Sequence, residues 1–420
     1  MARRTKTPGS RARIGIVLPR GDTSLRFETD ALIAGLRRYD VDVEAIEFRG
    51  AADAALEDLN AGHRDVVYAV AGARIVSDDP DGGRSRELLR RVERPLLLRL
   101  ADPPYLRNYW TSLRGLGERA VISGRDIHLS DYVAACGDSR RGAHYATGRY
   151  CASALRAATA QPGQPDSSAA DPGEPLRRRD IPFLFVATLE DPGRYVTMVR
   201  RRFPGHAGRF AALSDALATE TQAPAWRTAE RFFADSRGEL NPYDGAGRAL
   251  LQAASCHADA RRRHRIALRL SRLRGVMILG GWDVAGSAAA VGPATILSRR
   301  SFAEVQALMS RSRVVVAIPP RLSTGTVGER SYHAMAAGAL SLAMRTFALD
   351  RHFVAGEHYV PCGPDMEGME SAITEVWRHP ERAQPMVQAA RRRVAVEFAS
   401  VPNVKALFAP VLDIDEPRSP

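Results

Sequence analysis

Short apolar runs alternate with amphipathic stretches through the first half of the chain, and that alternation predicts βαβ units feeding a mainly parallel sheet. Arg13 to Leu18 reads as a buried strand halted by Pro19 and Gly21. From Phe27 to Tyr39 the apolar residues Leu32, Ile33 and Leu36 fall at helical spacing. Val41 to Phe48 alternates as a strand should, Asp65 to Ala71 and Pro95 to Leu100 are buried strands, and Asp131 to Cys136 reads as one more. Together they predict a Rossmann-like domain over residues 10–157.

The pattern breaks between residues 158 and 179, where Gln-Pro-Gly-Gln-Pro-Asp-Ser-Ser and Asp-Pro-Gly-Glu-Pro offer hardly an apolar side chain to bury, so this stretch reads as a linker or exposed excursion. Regular structure resumes with a strand at Ile181 to Val186 and a helical region from Arg194 to about Arg274. Val276 to Leu279 is a strand leading to Gly280-Gly281-Trp282, Ser301 to Met309 is a helix, and Val314 to Ile318 is a strand ended by Pro319-Pro320. A second α/β domain is therefore expected over residues 180–395, with a closing segment at 396–420. Two such halves place a ligand at the carboxyl ends of their strands.

A length of 420 residues suits two domains, and the apolar and charged shares of 45% and 26% are globular values. The formal charge of +12 is almost wholly arginine, Lys6 and Lys405 being the only lysines. Because the arginines are spread along the chain with no nucleic-acid-binding motif, the expectation is a coding bias on solvated helix faces and no nucleic-acid partner. Arg261-Arg-Arg-His-Arg265 and Arg391-Arg-Arg393 read as such faces. Cys136, Cys151, Cys256 and Cys362 form no Cys-x-x-Cys pair and no zinc spacing, and the start of the chain has no secretory pattern. No run approaches the ~20 apolar residues that cross a bilayer. A cytoplasmic protein is expected, with peripheral membrane contact still compatible.

The segment richest in chemistry is Ser323-Thr-Gly-Thr-Val-Gly-Glu-Arg-Ser-Tyr-His-Ala-Met-Ala-Ala-Gly-Ala-Leu340. Thr326 and Glu329 stand at capping-box spacing, Tyr332, Met335 and Ala336 form an apolar stripe, and Gly338 suits a left-handed helix end before a strand at Leu340 to Met344. A helix starting beyond a strand's carboxyl end turns its amide groups and positive dipole end toward an anion. Gly325 and Gly328 would let backbone approach a diphosphate, with donors from Thr324, Thr326 and Arg330. An ordinary capped packing helix has the same pattern.

Glu329-Arg-Ser-Tyr-His-Ala-Met-Ala-Ala-Gly338, Phe353-Val-Ala-Gly-Glu-His-Tyr-Val360 and Trp377-Arg-His-Pro-Glu-Arg382 resemble the carboxyl-terminal domain of group-1 glycosyltransferases, in the bacterial branch that includes spore-maturation-protein-like enzymes. The likeness is strongest over about residues 265–400. Weaker support comes from Phe183-Leu-Phe-Val-Ala, from Gly280-Gly-Trp282, and from Leu100-Ala-Asp-Pro-Pro-Tyr105, which resembles an Asp-Pro loop of the amino-terminal domain. The resemblance implies an α/β GT-B architecture, two Rossmann-like domains with mainly parallel sheets facing a cleft, and the donor held by the second domain. It also implies an EC 2.4-like transferase that needs no metal and no tightly bound cofactor, taking a nucleotide-diphosphate sugar as donor and a glycan, protein or small molecule as acceptor. The donor-contact set it implies is Gly280, Gly281, Trp282, Thr324, Gly325, Thr326, Gly328, Glu329, Arg330 and His333.

Many group-1 enzymes carry two glutamates eight positions apart, and here those positions are Gly325 and His333. Glu329, one helical turn before His333, could substitute for a missing carboxylate or simply hold the histidine. The loss of both carboxylates motivates a second reading, a catalytically inactive GT-B scaffold that binds a partner. Catalytic candidates are His333 and Asp102, which ends an apolar strand; the alternative for Asp102 is a turn residue bonded to its own backbone. Asp22 and Glu190, each following a strand, are lesser candidates. Either stereochemical course suits these residues.

Overall fold

The structure is a computed structural model, and it describes residues 11–19, 24–47, 52–61, 64–71, 88–100, 116, 120–124, 126–136, 173–234, 240–243, 245–280, 293–298, 300–397, 400–412 and 414. The chain divides into two compact units, residues 1–154 with 398–420, and residues 155–397.

The first unit holds β1 (Ala12–Val17), α1 (Ser24–Leu36), β2 (Val41–Ile46), α2 (Ala52–Ala61), β3 (Val66–Ala71), β4 (Leu96–Leu100), β5 (Ala120–Gly124) and α3 (Leu129–Ala135). All neighbouring strands pair in parallel, in the order β2-β1-β3-β4-β5. Ile14, Ile16, Tyr68 and Leu97 form a core with Leu32 and Leu36 of α1. The carboxyl-terminal helix Ser400–Phe408 adds Val404, Leu407 and Phe408 to that core, with the Phe408 ring 6.0 Å from that of Tyr68.

One local expectation fails here. Asp131 to Cys136 is not a strand but lies in α3, whose buried residues Leu129, Tyr132 and Val133 repeat at helical spacing with Asp131 in the favourable first turn. The fifth strand is instead Ala120–Gly124, too short a run to declare itself by periodicity.

The second unit opens with β6 (Ile181–Val186), continues through α4 (Gly193–Arg202), α5 (Ala207–Thr219), α6 (Ala225–Phe233) and the long α7 (Gly245–Ser271), and reaches β7 (Val276–Leu279) and β8 (Thr295–Leu297). Then come α8 (Phe302–Arg311), β9 (Ser312–Ala317), α9 (Glu329–Ala336), β10 (Leu340–Met344), α10 (Phe347–His352), β11 (Val360–Cys362), α11 (Met369–Arg378) and α12 (Pro380–Glu397). The sheet order is β11-β10-β9-β6-β7-β8, again with every pair parallel.

Both faces of this sheet are buried, which is why its strands read as continuous apolar runs. Phe183, Phe185, Val314 and Val316 meet Ile266, Ala267 and Leu270 of α7 on one face. Leu184, Val186 and Val315 meet Met309 of α8, Ala334 of α9 and Ala337 just after it on the other. Among the described residues no helix is long and apolar enough to cross a membrane.

Most of the expected linker, residues 158–172, lies outside the described residues. Its end belongs to the second unit: Leu176 is 1% exposed within that core, and Arg179 is buried. A lone apolar residue and an arginine amid Pro, Gly and Asp carry no period, so their burial is decided by the fold they dock on.

Candidate functional site

In the second sheet the chain winds outward from β6 through β7 and β8, then returns to the other side of β6 with β9, β10 and β11. The direction of winding reverses between β6 and β9, and loops leaving the carboxyl ends of two such strands diverge around a crevice. The site is therefore built from residues 187–192 after β6, the start of α4, and residues 318–328 before α9.

The loop after β9 is a short 3-10 turn, Arg321–Ser323, followed by an irregular step into α9. The expected capping box of Thr326 and Glu329 does not form. The Thr326 hydroxyl donates to the Ser323 carbonyl at 2.8 Å, closing the turn locally, and the N-cap of α9 is Gly328, which brings no side-chain oxygen. The other Ser-x-x-Glu pattern does close: Ser301 accepts from the Glu304 amide and Glu304 returns to the Ser301 amide at the start of α8. At its far end α9 closes as expected, with Gly338 at φ +73°, its amide on the Met335 carbonyl and the Ala339 amide on Ala334.

The 318–324 loop is held from beneath by buried charge. Asp259, on α7, accepts the Arg321 backbone amide at both carboxylate oxygens, 3.0 and 2.8 Å, and takes Arg262 Nη2 at 2.6 Å. Arg262 Nη2 also donates to the Pro319 carbonyl at 3.2 Å. The Arg321 side chain, 0% exposed, donates to the carbonyls of Leu217 and Ala223 and to the Thr324 hydroxyl. Burial pushes the Arg262 guanidinium below its ordinary range despite Asp259. The Arg261-Arg-Arg-His-Arg265 run is thus not a solvated face throughout: its second arginine is a core residue.

One position on stands Arg263 of α7, whose charge acts on Arg330 at the start of α9. Burial first, then the like charge of Arg263, push the Arg330 guanidinium down to about 10, against the pull of Glu329. Neither Arg263 nor Arg330 forms an ion pair among the described residues, and Arg263 Nε is shielded from solvent without a hydrogen-bond partner there. Beside them the Tyr195 hydroxyl donates to Glu190 Oε2, and burial, then that bond, raise the Tyr195 pKa far above its usual value. Burial likewise raises the Cys256 thiol to about 11 and lowers His264, which Asp191 and the Glu190 backbone pull the other way.

Among the expected donor contacts, Thr324 and Gly325 are buried, while Thr326, Gly328, Glu329 and Arg330 are partly exposed along the loop and first helical turn. His333 is 2% exposed, its ring 4.4 Å from Tyr332 and 5.2 Å edge-on from Phe302, so it packs within the unit. Gly280 ends β7 at φ +143°, and a Cβ there would lie 1.7 Å from the Ala187 carbonyl oxygen; close backbone approach explains that glycine. Gly281, Trp282, Asp102 and Asp22 lie outside the described residues. Asp259 and Arg321 escaped the sequence reading, and Arg262 and Arg263 were read as a solvated face, because the partners that select which of these charges are buried lie far away in sequence.

Residues 248–409 match the profile of the Glycosyl transferase-like family, Glyco_trans_1_2. No curated protein matches the sequence. Among solved structures, an alpha-glucosyltransferase in complex with UDP and a 13-mer DNA containing a HMU base aligns at TM-score 0.54 and 11% identity, over 95% of this chain and 99% of that one. T4 phage BGT with its UDP-glucose substrate aligns at TM-score 0.52 and 10% identity, over 96% and 99%. The DNA-modifying enzyme beta-glucosyltransferase gives TM-score 0.52 and 10% identity, over 94% and 98%.

The expected exclusion of nucleic acid is overturned by these matches, since similar structures include one that holds DNA and one named for modifying it. An even spread of arginines along a sequence carries no information on how they cluster in space. The chain has the GT-B fold, and residues 248–409, most of them in the second unit, are similar to a glycosyl transferase-like family.

Proposed function

We propose that the chain moves a sugar from a nucleoside-diphosphate donor to a hydroxyl acceptor, and that the diphosphate sits at the start of α9 against Arg330 and Arg263. One observation carries this reading. Arg263 and Arg330 are like charges acting on each other at the start of α9, neither forms an ion pair among the described residues, and Glu329 offsets their repulsion at Arg330 only in part. Uncompensated buried charge is costly, and an anion at the uncapped end of α9 would relieve the cost.

The same arrangement suits catalysis. As the bond from the sugar to the phosphate breaks, negative charge develops on the departing diphosphate, and guanidiniums already fixed there stabilise it without reorganising. Arginines can supply this countercharge directly. In this reading the backbone amides of Gly328 and Glu329 and the Arg330 guanidinium make the phosphate contacts, while Gly280 and His333 shape the walls. Asp102 remains the proposed base for the acceptor hydroxyl, and Gly281 and Trp282 remain proposed donor contacts. Free thiols at Cys256 and Cys362 suit a reducing, cytoplasmic setting.

The donor is tested by calorimetric titration with UDP, GDP, ADP and TDP. Saturable binding of one of them in the micromolar range is expected, and no heat from any at millimolar concentration would sink the proposal. The similar structures named for glucosyltransferases bind UDP, UDP-glucose and DNA. The acceptor panel therefore includes DNA bearing hydroxymethylated bases beside glycans and small alcohols.

A further inference from the structure

We infer that Asp259 is a positioning residue for the donor site, holding the loop of residues 319–328 in the shape that presents the start of α9. This rests on the donor reading above for its functional consequence, but its structural half stands on the contacts alone. Asp259 is 6% exposed and lies in the middle of α7, remote in sequence from the loop it grips.

The geometry is directional. Both carboxylate oxygens accept the one Arg321 backbone amide, at 3.0 and 2.8 Å, which fixes the chain direction as it leaves Pro320. Arg262 bridges Oδ1 and the Pro319 carbonyl, tying the preceding residue to the same anchor. A neutral packing residue could fill the space but could not hold that amide and neutralise Arg262 together. On the same helix, four residues or ~6 Å further along, stands Arg263, whose charge acts on Arg330. One rigid helix therefore sets both the loop and the cation opposite it, and a shift of about 1 Å in either would misplace the phosphate contacts.

Hydrogen exchange of the full-length protein, with and without the Asp259→Asn substitution, tests the structural half, and UDP calorimetry tests the functional half. Asn keeps one acceptor oxygen and the size of the side chain while losing the charge. Amides of residues 319–330 should exchange at least tenfold faster, those of β6 and β9 should be unchanged, and the UDP dissociation constant should rise at least tenfold. Arg262→Met, which removes the tie to Pro319 but leaves the carboxylate, should give the same pattern at smaller amplitude and serves if Asp259→Asn fails to fold. Exchange unchanged over 319–330, or raised uniformly across the unit, overturns the inference. So does a dissociation constant within twofold of the parent's. If the unsubstituted protein binds no nucleotide, the donor reading falls by itself, and the exchange pattern still decides whether Asp259 positions the loop.

Discussion

Arg179 donates from both terminal nitrogens to the Ala337 carbonyl, each at 3.1 Å, and so closes the carboxyl end of the helix whose opposite end faces the proposed diphosphate. Nη1 also reaches the Ser312 carbonyl at 3.1 Å, joining the last turn of α9 to the first residue of β9. A cation at the negative end of a helix dipole is favourable, and more so when buried. Replacing it with Met would leave two buried carbonyls without this donor. Arg179→Met should destabilise the second unit by about 2–4 kcal/mol, read as a drop in the denaturant midpoint, and Arg179→Lys by less.

Arg263 and Arg330 predict an opposed change in stability and binding. Each raises the cost of burying the other, so Arg263→Met should raise the melting temperature in buffer without phosphate or nucleotide. The same substitution should weaken UDP binding at least tenfold, an effect of about 1.4 kcal/mol or more. A parallel fall in both quantities would show instead that Arg263 is a structural cation.

Gly280 admits no side chain. Its φ of +143° is a glycine conformation, and the Ala187 carbonyl occupies the place of a Cβ. Gly280→Ala should cost about 3 kcal/mol or more, since β6 or β7 must shift at its carboxyl end. Urea unfolding followed by tryptophan fluorescence checks it.

The two Ser/Thr-x-x-Glu patterns should separate on substitution. Ser301→Ala removes a formed cap and should cost about 1 kcal/mol. Thr326→Val removes only a hydroxyl bonded to the Ser323 carbonyl and should leave α9 helical. Equal helix fraying in the two variants by hydrogen exchange would contradict the assignment of Gly328 as the cap.

Thiol chemistry gives a pH prediction. Burial raises the Cys256 and Cys362 thiols to about 11, so native alkylation at pH 8 should be slow at both and should accelerate about tenfold per unit up to pH 10. The sign for stability follows. The folded state keeps these protons more tightly than the unfolded state, whose thiols have the ordinary value of 9.0, so stability is fully present below that pH and is lost as pH rises from 9 toward 11. Peptide mapping after timed iodoacetamide treatment measures the first effect, and urea midpoints at pH 8 and 10.5 the second.

Strands such as Ile181–Val186 and Leu340–Met344 were legible because a strand buried on both faces must be continuously apolar, and α9 because Gly338 and its alanines mark a close-packed, sharply ended helix. The Met-Ala-Ala-Gly segment also declared its family likeness, since its spacing is local. Local hydrogen-bond competition decided the cap: identical three-residue spacing serves Ser301, but at Thr326 the Ser323 carbonyl takes the hydroxyl first.

By itself the sequence determined the α/β class, most strands of the two sheets and the helix that borders the proposed donor site, because each depends on side chains within a few residues of one another. Only the tertiary structure decided which charges go inside. Asp259 and Arg321 are 62 positions apart and Arg179 and Ala337 are 158 apart. A buried ion or a capped helix end is specified by partners that meet only after the sheet has formed, and no local period records such a meeting.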